Sequence, residues 1–495
     1  MAPVRRRAQV VIGLLCGAAL PAMLGAQSLS PRERAEVGLW FSRAVERTPG
    51  GEWGVVVGTM DGRVLWSANP ELELIPASTT KLFTTGFTRT RMGGGARITT
   101  RVVGDGQVDS TGRWRGHWAL ELGGDPTLER TGRAGPTLRE LARQLRERGI
   151  RELEGPLTLT SRTGPAYSRY PSVWSSDFEG QLYAPPVGPV TLHENTVSLT
   201  FRPGREVGSP PTLVSAYPHG VSRMVRIAAR TVDGSRKRLS LRADPDGGWT
   251  LTGTVGIHRR VAGLSAVAHD PGRMLATAWA SALEHAGVRW VRPGGPVGLS
   301  RRDEPILAQV VSAPLDSVAM EVNRRSLNIG AELLLQHAAG NQTAGPALLT
   351  AHVREVVGPR ARVHLADGSG LSEANRMSPL TQMLYLARYP QRPGNARFPL
   401  LLPANGTGTL RRLRQGMTRG VVHAKTGTLD RVATLAGYLG RQDGVLVISL
   451  MYNGRRTAAA RAAEWELFRL LGAEGVELGG VLETHMGGTS TARDE

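Results

Sequence analysis

Cysteine and lysine are nearly missing from this chain of 495 residues. The single cysteine, Cys16, excludes a disulfide framework and any site built on clustered thiolates. Lysine occurs only at Lys81, Lys237 and Lys425, so 58 of the 61 cationic side chains are arginine. Arginine meets any bulk need for positive charge, but it does not release its proton in a protein, whereas a buried lysine can. A lysine retained against that background points to chemistry that needs a neutral amine. The 11 histidines contain no His-Glu-x-x-His and no clustered ligand spacing, so no metal and no cofactor are expected. The absence of Gly-x-Ser-x-Gly and of a Walker sequence counts against an α/β-hydrolase and an NTPase. The formal charge of +19 has two readings, a nucleic-acid partner or arginines scattered over a soluble surface. No dense basic run follows the N-terminus, and no zinc-finger spacing or aromatic-basic RNA signature occurs, so no nucleic acid is expected as partner.

Long apolar runs are confined to the start. Arg5-Arg6-Arg7, the apolar stretch Val10 to Leu20 and Leu24-Gly25-Ala26 before Gln27 read as an export signal over residues 1–26. The stretch is short for a membrane span, so an exported protein of the periplasm or cell envelope is expected, with no stable span once the signal is cleaved. An uncleaved anchor is the alternative. A lipoprotein through Cys16 is disfavoured because Leu15 stands where a small residue is wanted.

The two ends of the chain mirror each other. Ser30-Pro31-Arg32-Glu33 is a capping box that opens a helix to about Arg47. Trp53–Thr59 and Arg63–Ser67 flank the turn Asp61-Gly62 as a hairpin. Near the other end, Val421–Thr428, Val432–Leu439 and Val445–Asn453 read as three strands, followed by a helix from about Arg456 to Leu471. Between about 96 and 300 short β-like runs dominate, with one clear helix near Thr137–Arg148. Helices return from about Ile306 to Arg388, including Ile329–Ala339 and Gly345–Val357. The expected architecture is α/β (α+β). One domain of antiparallel sheet and flanking helices comes from both chain ends, 27–95 and 302–480. A β-rich insertion, 96–301, forms one or two further domains, and a disordered tail covers 481–495.

Two of the three lysines sit in chemically suggestive settings. In Pro76-Ala77-Ser78-Thr79-Thr80-Lys81 the sequence places Ser78 in the first turn of a helix, and residues i and i+3 share a face, so the Lys81 amine can reach the Ser78 hydroxyl. Such an amine activates a serine only when neutral. Lowering it from ~10.4 to near 7 takes about 4 kcal/mol of desolvation and neighbouring charge. His423-Ala424-Lys425-Thr426-Gly427-Thr428 lies on an edge strand, where a lysine, a hydroxyl and a bare glycine suit an anion lying against the backbone. Such a lysine can equally do no more than blunt the edge. Ser326-Leu327-Asn328, ahead of a helix, could be simply a cap.

The order Ser-x-x-Lys, Ser-x-Asn, Lys-Thr-Gly resembles the motif set of penicillin-binding proteins and class A β-lactamases. About 248 residues separate Ser78 from Ser326, and an insertion of that size is similar to the D-alanyl-D-alanine carboxypeptidase/endopeptidase family of low-molecular-mass class C penicillin-binding proteins, peptidase family S13. Gly124-Asp125-Pro126-Thr127-Leu128, Trp174 to Asp177 with Tyr183-Ala184-Pro185-Pro186 and Asn195, and Asp367-Gly368-Ser369-Gly370-Leu371-Ser372 with Asn375-Arg376 and Ser378-Pro379 carry the likeness further. The resemblance implies a β-lactamase/transpeptidase-like fold and a serine-type D-Ala-D-Ala carboxypeptidase, with D-Ala–diaminopimelate endopeptidase action as a second expectation. It implies Ser78 as acylated nucleophile, Lys81 as its base, Ser326 as proton relay and Asn328 as orienting residue. Lys425, Thr426, Gly427 and Thr428 would receive the substrate's terminal carboxylate, and the backbone N–H groups of Ser78 and Thr428 would form an oxyanion hole. It implies Asp177 as a contact for the amino end of diaminopimelate. Its partners would be peptidoglycan peptide stems, and β-lactams as covalent inhibitors. Asp367–Ser372 is expected mainly to shape the wall of the site, and Asp125 to do the same in the insertion. Two other readings stand beside this one, a β-lactamase or esterase on the same scaffold and a non-catalytic envelope-binding protein. Lys237, in Ser235-Arg236-Lys237-Arg238, reads as a solvated surface cation.

Overall fold

Ser30 caps the first helix as its sequence requires. Its hydroxyl accepts from Glu33 N at 3.1 Å, the Glu33 carboxylate accepts from Ser30 N at 2.7 Å, and Pro31 stands at the first helical position. In the computed structural model, which describes residues 27–130, 135–291, 304–341, 343–413 and 416–486, this helix is Pro31–Arg47. The expected export signal and residues 487–495 of the expected tail lie outside the described residues. Val37, Trp40 and Ala44 form the buried stripe of the helix and pack on Thr457–Leu471, where Trp40 Nε1 donates to Ala463 O at 2.9 Å.

These two helices cover one face of a five-stranded antiparallel sheet ordered Val422–Leu429, Val432–Arg441, Gly444–Asn453, Glu52–Thr59, Val64–Ala68. The chain ends meet in its middle, where Glu52–Thr59 runs against Gly444–Asn453 from Glu52↔Asn453 to Thr59↔Leu446. The two central strands from the C-terminal end are buried on both faces and accordingly read as largely apolar, each broken by one buried aliphatic hydroxyl, Thr434 and Ser449. Helices Lys81–Met92, Gly345–Val357 and Pro379–Arg388 close the other face around Phe83, Tyr385 and Tyr438. Val422–Leu429 is left at an edge, open to the elements that carry the other motifs.

The insertion packs around one core that includes Trp114, Trp118, Phe201, Trp249 and Trp279. A six-stranded sheet runs Arg289–Val291, Glu152–Glu154, Arg113–Glu121, Thr99–Val108, Ile306–Val311, with Leu159–Thr160 beside Arg113–Glu121. Thr196–Arg202 lies between Ala262–Val267 and Thr212–Tyr217 in a three-stranded sheet. Trp249–Gly256 is the central strand of a four-stranded sheet with Lys237–Ala243 on one side and Val225–Ile227 and Arg230–Val232 on the other.

Two expectations at the margins meet a different structure. Ile306–Val311, on the far side of the boundary expected at 301/302, pairs with Thr99–Val108 and so closes the insertion's sheet. The tail expected to be disordered from 481 is helical over Leu478–Met486, because Val481 and Leu482 bury against the central sheet and its helices.

Trp40 joins the two terminal segments by both apolar area and a hydrogen bond. Trp40→Ala is expected to cost about 3–5 kcal/mol, read as a lowered midpoint in denaturant unfolding with little change in slope.

Candidate active site

The turn that carries Ser78 is held from three sides. Ala77 takes a left-handed backbone (φ 48°), and the turn Ala77–Thr80 is 3₁₀, running into the α-helix only at Lys81. The helix start expected at Ser78 is therefore one tight turn followed by the helix proper. Gly370, itself at φ +80°, lies so close to Ala77 O that any Cβ would collide with it. Thr79 Oγ1 donates to Pro76 O at 2.7 Å and accepts from Gln382 Nε2 at 2.8 Å, and Gln382 Oε1 accepts from Ser449 Oγ at 2.8 Å. That buried chain ties the turn to the central sheet.

Lys81 is fully buried, and its Nζ lies 2.9 Å from Ser78 Oγ, 2.6 Å from Asn328 Oδ1 and 2.6 Å from the Ser369 carbonyl. Those three acceptors match the three hydrogens of an ammonium. After loss of a proton, two hydrogens still satisfy Asn328 and Ser369, and the lone pair faces the Ser78 hydroxyl. Burial pulls the amine down to about 7, against the opposing charges of Asp367 and Glu332. Asn328, at the head of helix Asn328–Ala339, is itself fixed by donating Nδ2 to Tyr183 O at 2.8 Å.

Ser326 ends helix Leu315–Arg325 in a left-handed conformation (φ 59°, ψ 44°), which turns its hydroxyl toward the edge strand. There it accepts from Lys425 Nζ at 2.9 Å, and Lys425 donates also to Thr426 O at 2.6 Å. Lys425 is fully buried and held well below the usual lysine range, first by burial and then by the charges of Lys81 and Arg461. The site is thus two serine–lysine pairs joined through Asn328 and the 326–328 segment. A Cβ on Gly427 would stand 3.0 Å from Ser78 N and overlap Thr434 Oγ1, which donates to Pro76 O at 2.8 Å. Only a bare glycine lets the strand lie this close to the serine turn. Thr426 is half-buried and Thr428 exposed at the open edge.

The segment expected to shape the wall does more. Asp367 accepts from Trp174 Nε1 (3.0 Å), Ser369 Oγ (2.9 Å), Asn375 Nδ2 (2.8 Å) and the backbone N–H groups of Gly370, Leu371 and Ser372. The turn so formed delivers the Ser369 carbonyl to Lys81. Beneath it Glu332 accepts from Gly368 N and Ser369 N at 3.0 and 2.7 Å and is pushed up to about 8 by burial and by Asp367. Sequence reasoning missed Glu332, although it is the lone acid among the apolar residues of helix Asn328–Ala339. It also missed Arg461. From helix Thr457–Leu471 that guanidinium donates to Gly427 O, to Thr428 Oγ1 (3.0 Å) and to Thr434 O (2.8 Å), pinning the edge strand, and it pairs with the buried Glu464. Nothing local marks Arg461 among 58 arginines.

Trp174, Ala184 and Val187 seat the 170–187 segment on Ile329, Leu333 and Leu371. Asp177 sits on it in the short turn Ser176–Phe178, exposed, its N–H bonded to Ser175 Oγ at 3.3 Å, outside the hydrogen-bond network that joins the motif residues. A cleft of about 650 Å³ runs from Ser326 and Asn328 past Tyr183 to Ser198 and Ser265 of the insertion. Among the described residues no group of three or more His, Cys, Asp or Glu is placed to hold a metal ion, and no helix is long and apolar enough to cross a membrane.

An antiparallel sheet flanked by helices, carrying a serine whose hydroxyl faces a buried amine and a second serine–lysine pair opposite, defines a serine acyl-enzyme hydrolase of the penicillin-binding class. The sequence model of the D-Ala-D-Ala carboxypeptidase 3 (S13) family matches residues 42–472. The chain belongs to this family and is an enzyme of the D-Ala-D-Ala carboxypeptidase class. It is 27% identical over 437 residues to the D-alanyl-D-alanine carboxypeptidase of Actinomadura sp. (strain R39), covering 83% of this chain and 79% of that one. It is 22% identical over 412 residues to the D-alanyl-D-alanine carboxypeptidase DacB of Haemophilus influenzae, covering 80% and 84%. The crystal structure of penicillin binding protein 4 from Haemophilus influenzae superposes with a TM-score of 0.69 at 20% identity over 86% of this chain and 99% of that one, which establishes a shared fold.

Gly427→Ala is expected to slow acylation of the serine about a hundredfold, because the strand or the serine turn must shift by a large fraction of an ångström. Stopped-flow acylation by a chromogenic β-lactam measures it. A rate within threefold of wild type would refute the close-approach argument.

Proposed function

We propose that this protein removes the terminal D-Ala from peptidoglycan stem peptides ending in D-Ala-D-Ala, through an acyl-enzyme on Ser78. The observation that carries the reading is the buried Lys81 amine hydrogen-bonded to Ser78 Oγ, with burial bringing it near neutrality. Neutral Lys81 takes the Ser78 proton as Oγ bonds to the carbonyl carbon of the penultimate D-Ala. The developing oxyanion is held by the backbone N–H groups of Ser78 and Thr428, the strand of the latter being anchored by Arg461. The C–N bond then breaks, and the proton gathered on Lys81 passes to the leaving amine by way of Ser326, whose hydroxyl accepts from Lys425. Water then attacks the ester and gives one proton to the again neutral Lys81. As the bond from Oγ to the acyl carbon breaks, Lys81 passes that proton to Ser78 and the shortened stem leaves with a new carboxylate.

Thr426, Gly427 and Lys425 receive the terminal carboxylate. Lys425 is depressed first by burial and then by two cations, and a substrate carboxylate beside it opposes this shift, so substrate binding favours its protonated form. A β-lactam carries an equivalent carboxylate and a strained amide, and it acylates the same serine. D-Ala–diaminopimelate cross-links follow the same route with a larger leaving group. The cleft beyond Ser326 offers room for it, and the exposed Asp177 is assigned to the amino end of diaminopimelate. Such substrates lie outside the cytoplasmic membrane, in keeping with the export signal read in residues 1–26.

Labelling with a fluorescent penicillin tests this directly. The wild type should carry one adduct, mapped to the peptide containing Ser78, and Ser78→Ala should carry none. Undiminished labelling of that variant would refute the mechanism, and penicillin turnover faster than release of D-Ala from a D-Ala-D-Ala peptide would favour the β-lactamase reading. The pH dependence is fixed by the sign of the Lys81 shift. The base is neutral above about 7 and protonated below it, so acylation should rise about tenfold from pH 6 to pH 8. Lys81→Arg keeps the charge and should acylate at no measurable rate at any pH in that range.

A further inference from the structure

The net positive charge is unevenly spread. Residues 196–267 hold eleven Arg and Lys against four Asp and Glu. They include the three-stranded and four-stranded sheets of the insertion. The register of the four-stranded sheet sorts its side chains by face. Leu239, Trp249, Leu251 and Val255 point into the core. On the other face, Arg226, Thr250 and Arg242 stand side by side in one row, and Arg230, Thr254 and Arg238 in a second. Ser240 and Thr252 lie between the rows. With strands about 4.8 Å apart and about 3.4 Å per residue, the four arginines mark a rectangle of about 10 by 13 Å. All four are exposed.

The two rows differ. Arg226 is partly neutralised by Asp244 and Asp246, at 3.3 and 2.7 Å. Arg230 donates to Gly208 O at 3.2 Å, and neither Arg238 nor Arg242 pairs with a carboxylate among the described residues. Arg259 donates its Nε to Ser235 O at 3.1 Å, and Asp233 lies 3.6 Å from His258. Lys237, the lysine outside the active site, donates to Gly263 O at 2.7 Å. Gly263 belongs to strand Ala262–Val267, and two residues further along that strand Ser265 lines the cleft that opens at Ser326 and Asn328. Lys237 itself lies on the opposite face, paired with Val255, and ties the strand Lys237–Ala243 to the strand that carries the cleft residue Ser265.

We propose that this face is an exosite for the polymeric substrate, holding the free carboxylates of neighbouring peptidoglycan stem peptides while one stem enters the cleft. The proposal rests on the reading under Proposed function. Charge complementarity selects the occupant, because the stem peptides end in a carboxylate and those with diaminopimelate bear another. The strand that carries Arg238 and Arg242 is also tied, through Lys237, to the strand that lines the cleft receiving them.

The test uses the inactive Ser78→Ala protein and isolated peptidoglycan sacculi in cosedimentation, with and without Arg230→Gln/Arg238→Gln/Arg242→Gln. The triple substitution should weaken binding about tenfold, and raising salt from about 50 to about 300 mM should weaken only the unsubstituted face comparably. Amidating the sacculus carboxylates should abolish the difference, and stripping phosphate-bearing polymers should leave it. With Ser78 intact, the triple variant should retain penicillin acylation and release D-Ala from a soluble peptide within twofold of wild type. Its release from sacculi should fall about fivefold. Equal sedimentation of both proteins, binding that survives amidation, binding lost with the phosphate polymers, or an equal fall on the soluble peptide would each overturn the exosite. Anionic vesicles or duplex DNA that bind the face more tightly than sacculi would overturn it too. A wild type inactive on both substrates would instead sink the functional reading, and sedimentation would still decide the exosite.

Discussion

A lysine amine buried without a full counter-charge is the constraint from which the rest of this structure follows. In water Lys81 would stay protonated, and in a dry site with no acceptors it would be too costly to keep. The protein gives it three acceptors, each from a separate element: Ser78 Oγ from the turn before its own helix, Asn328 Oδ1 from the head of a second helix, and Ser369 O from a turn in the third. None of the three is a carboxylate. The acids that bias the amine, Asp367 and Glu332, stand one layer back, occupied with the backbone of the Ser369 turn. The amine therefore remains near the point where it can accept a proton, instead of being locked as an ion pair.

That arrangement dictates tolerances elsewhere. Because Ser369 O must reach Lys81, the turn at 367–372 must press against Ala77, which leaves no room for a side chain at Gly370. The edge strand lies equally close on the serine turn, which leaves no room for a side chain at Gly427, and under the proposed mechanism this contact brings the two oxyanion donors onto one carbonyl. An edge strand has free hydrogen-bonding groups on one side and would otherwise be the most mobile part of the sheet. Arg461 answers this from behind by bridging Gly427 O on the edge strand and Thr434 O on the strand beside it. Its charge also helps hold Lys425 below the usual range. One residue thus fixes the strand and tunes the lysine that the strand carries.

What was legible in the sequence divides along the range of the interactions involved. The capping box at Ser30, the Asp61-Gly62 hairpin, the strand Thr196–Arg202 and helix Gly345–Val357 are set by neighbours within a few residues, and their places read directly. Ser78 and Lys81 were legible for the same reason, being three apart on one face, and the remaining motifs gained meaning from their order. Glu332 and Arg461 act across 36 and 34 residues of chain, on backbone groups that have no sequence signature. The strand Ile306–Val311 belongs with Thr99–Val108 because a partner two hundred residues away needs an edge covered. The helix at 478–486 is glycine-rich at its start and weak by propensity, and it forms because Val481 and Leu482 have a core to enter.

The near-absence of lysine follows from the same division of labour. An arginine at position 81 would remain charged at every working pH, and its planar, forked guanidinium would not bring one donor atom to three convergent acceptors as an ammonium does. At position 461 the reverse holds. The task is to span Gly427 O, Thr428 Oγ1, Thr434 O and the Glu464 carboxylate at once, and a rigid fork with five donors does this where a single ammonium would have to choose. On the insertion's cationic face the proposed requirement is weaker still, a permanent charge at a fixed spacing, and Arg230, Arg238 and Arg242 fill it. Charge that must persist is carried here by arginine, and charge that must come and go is left to the two buried lysines, so the composition of the chain already separates its scaffold and surfaces from its chemistry.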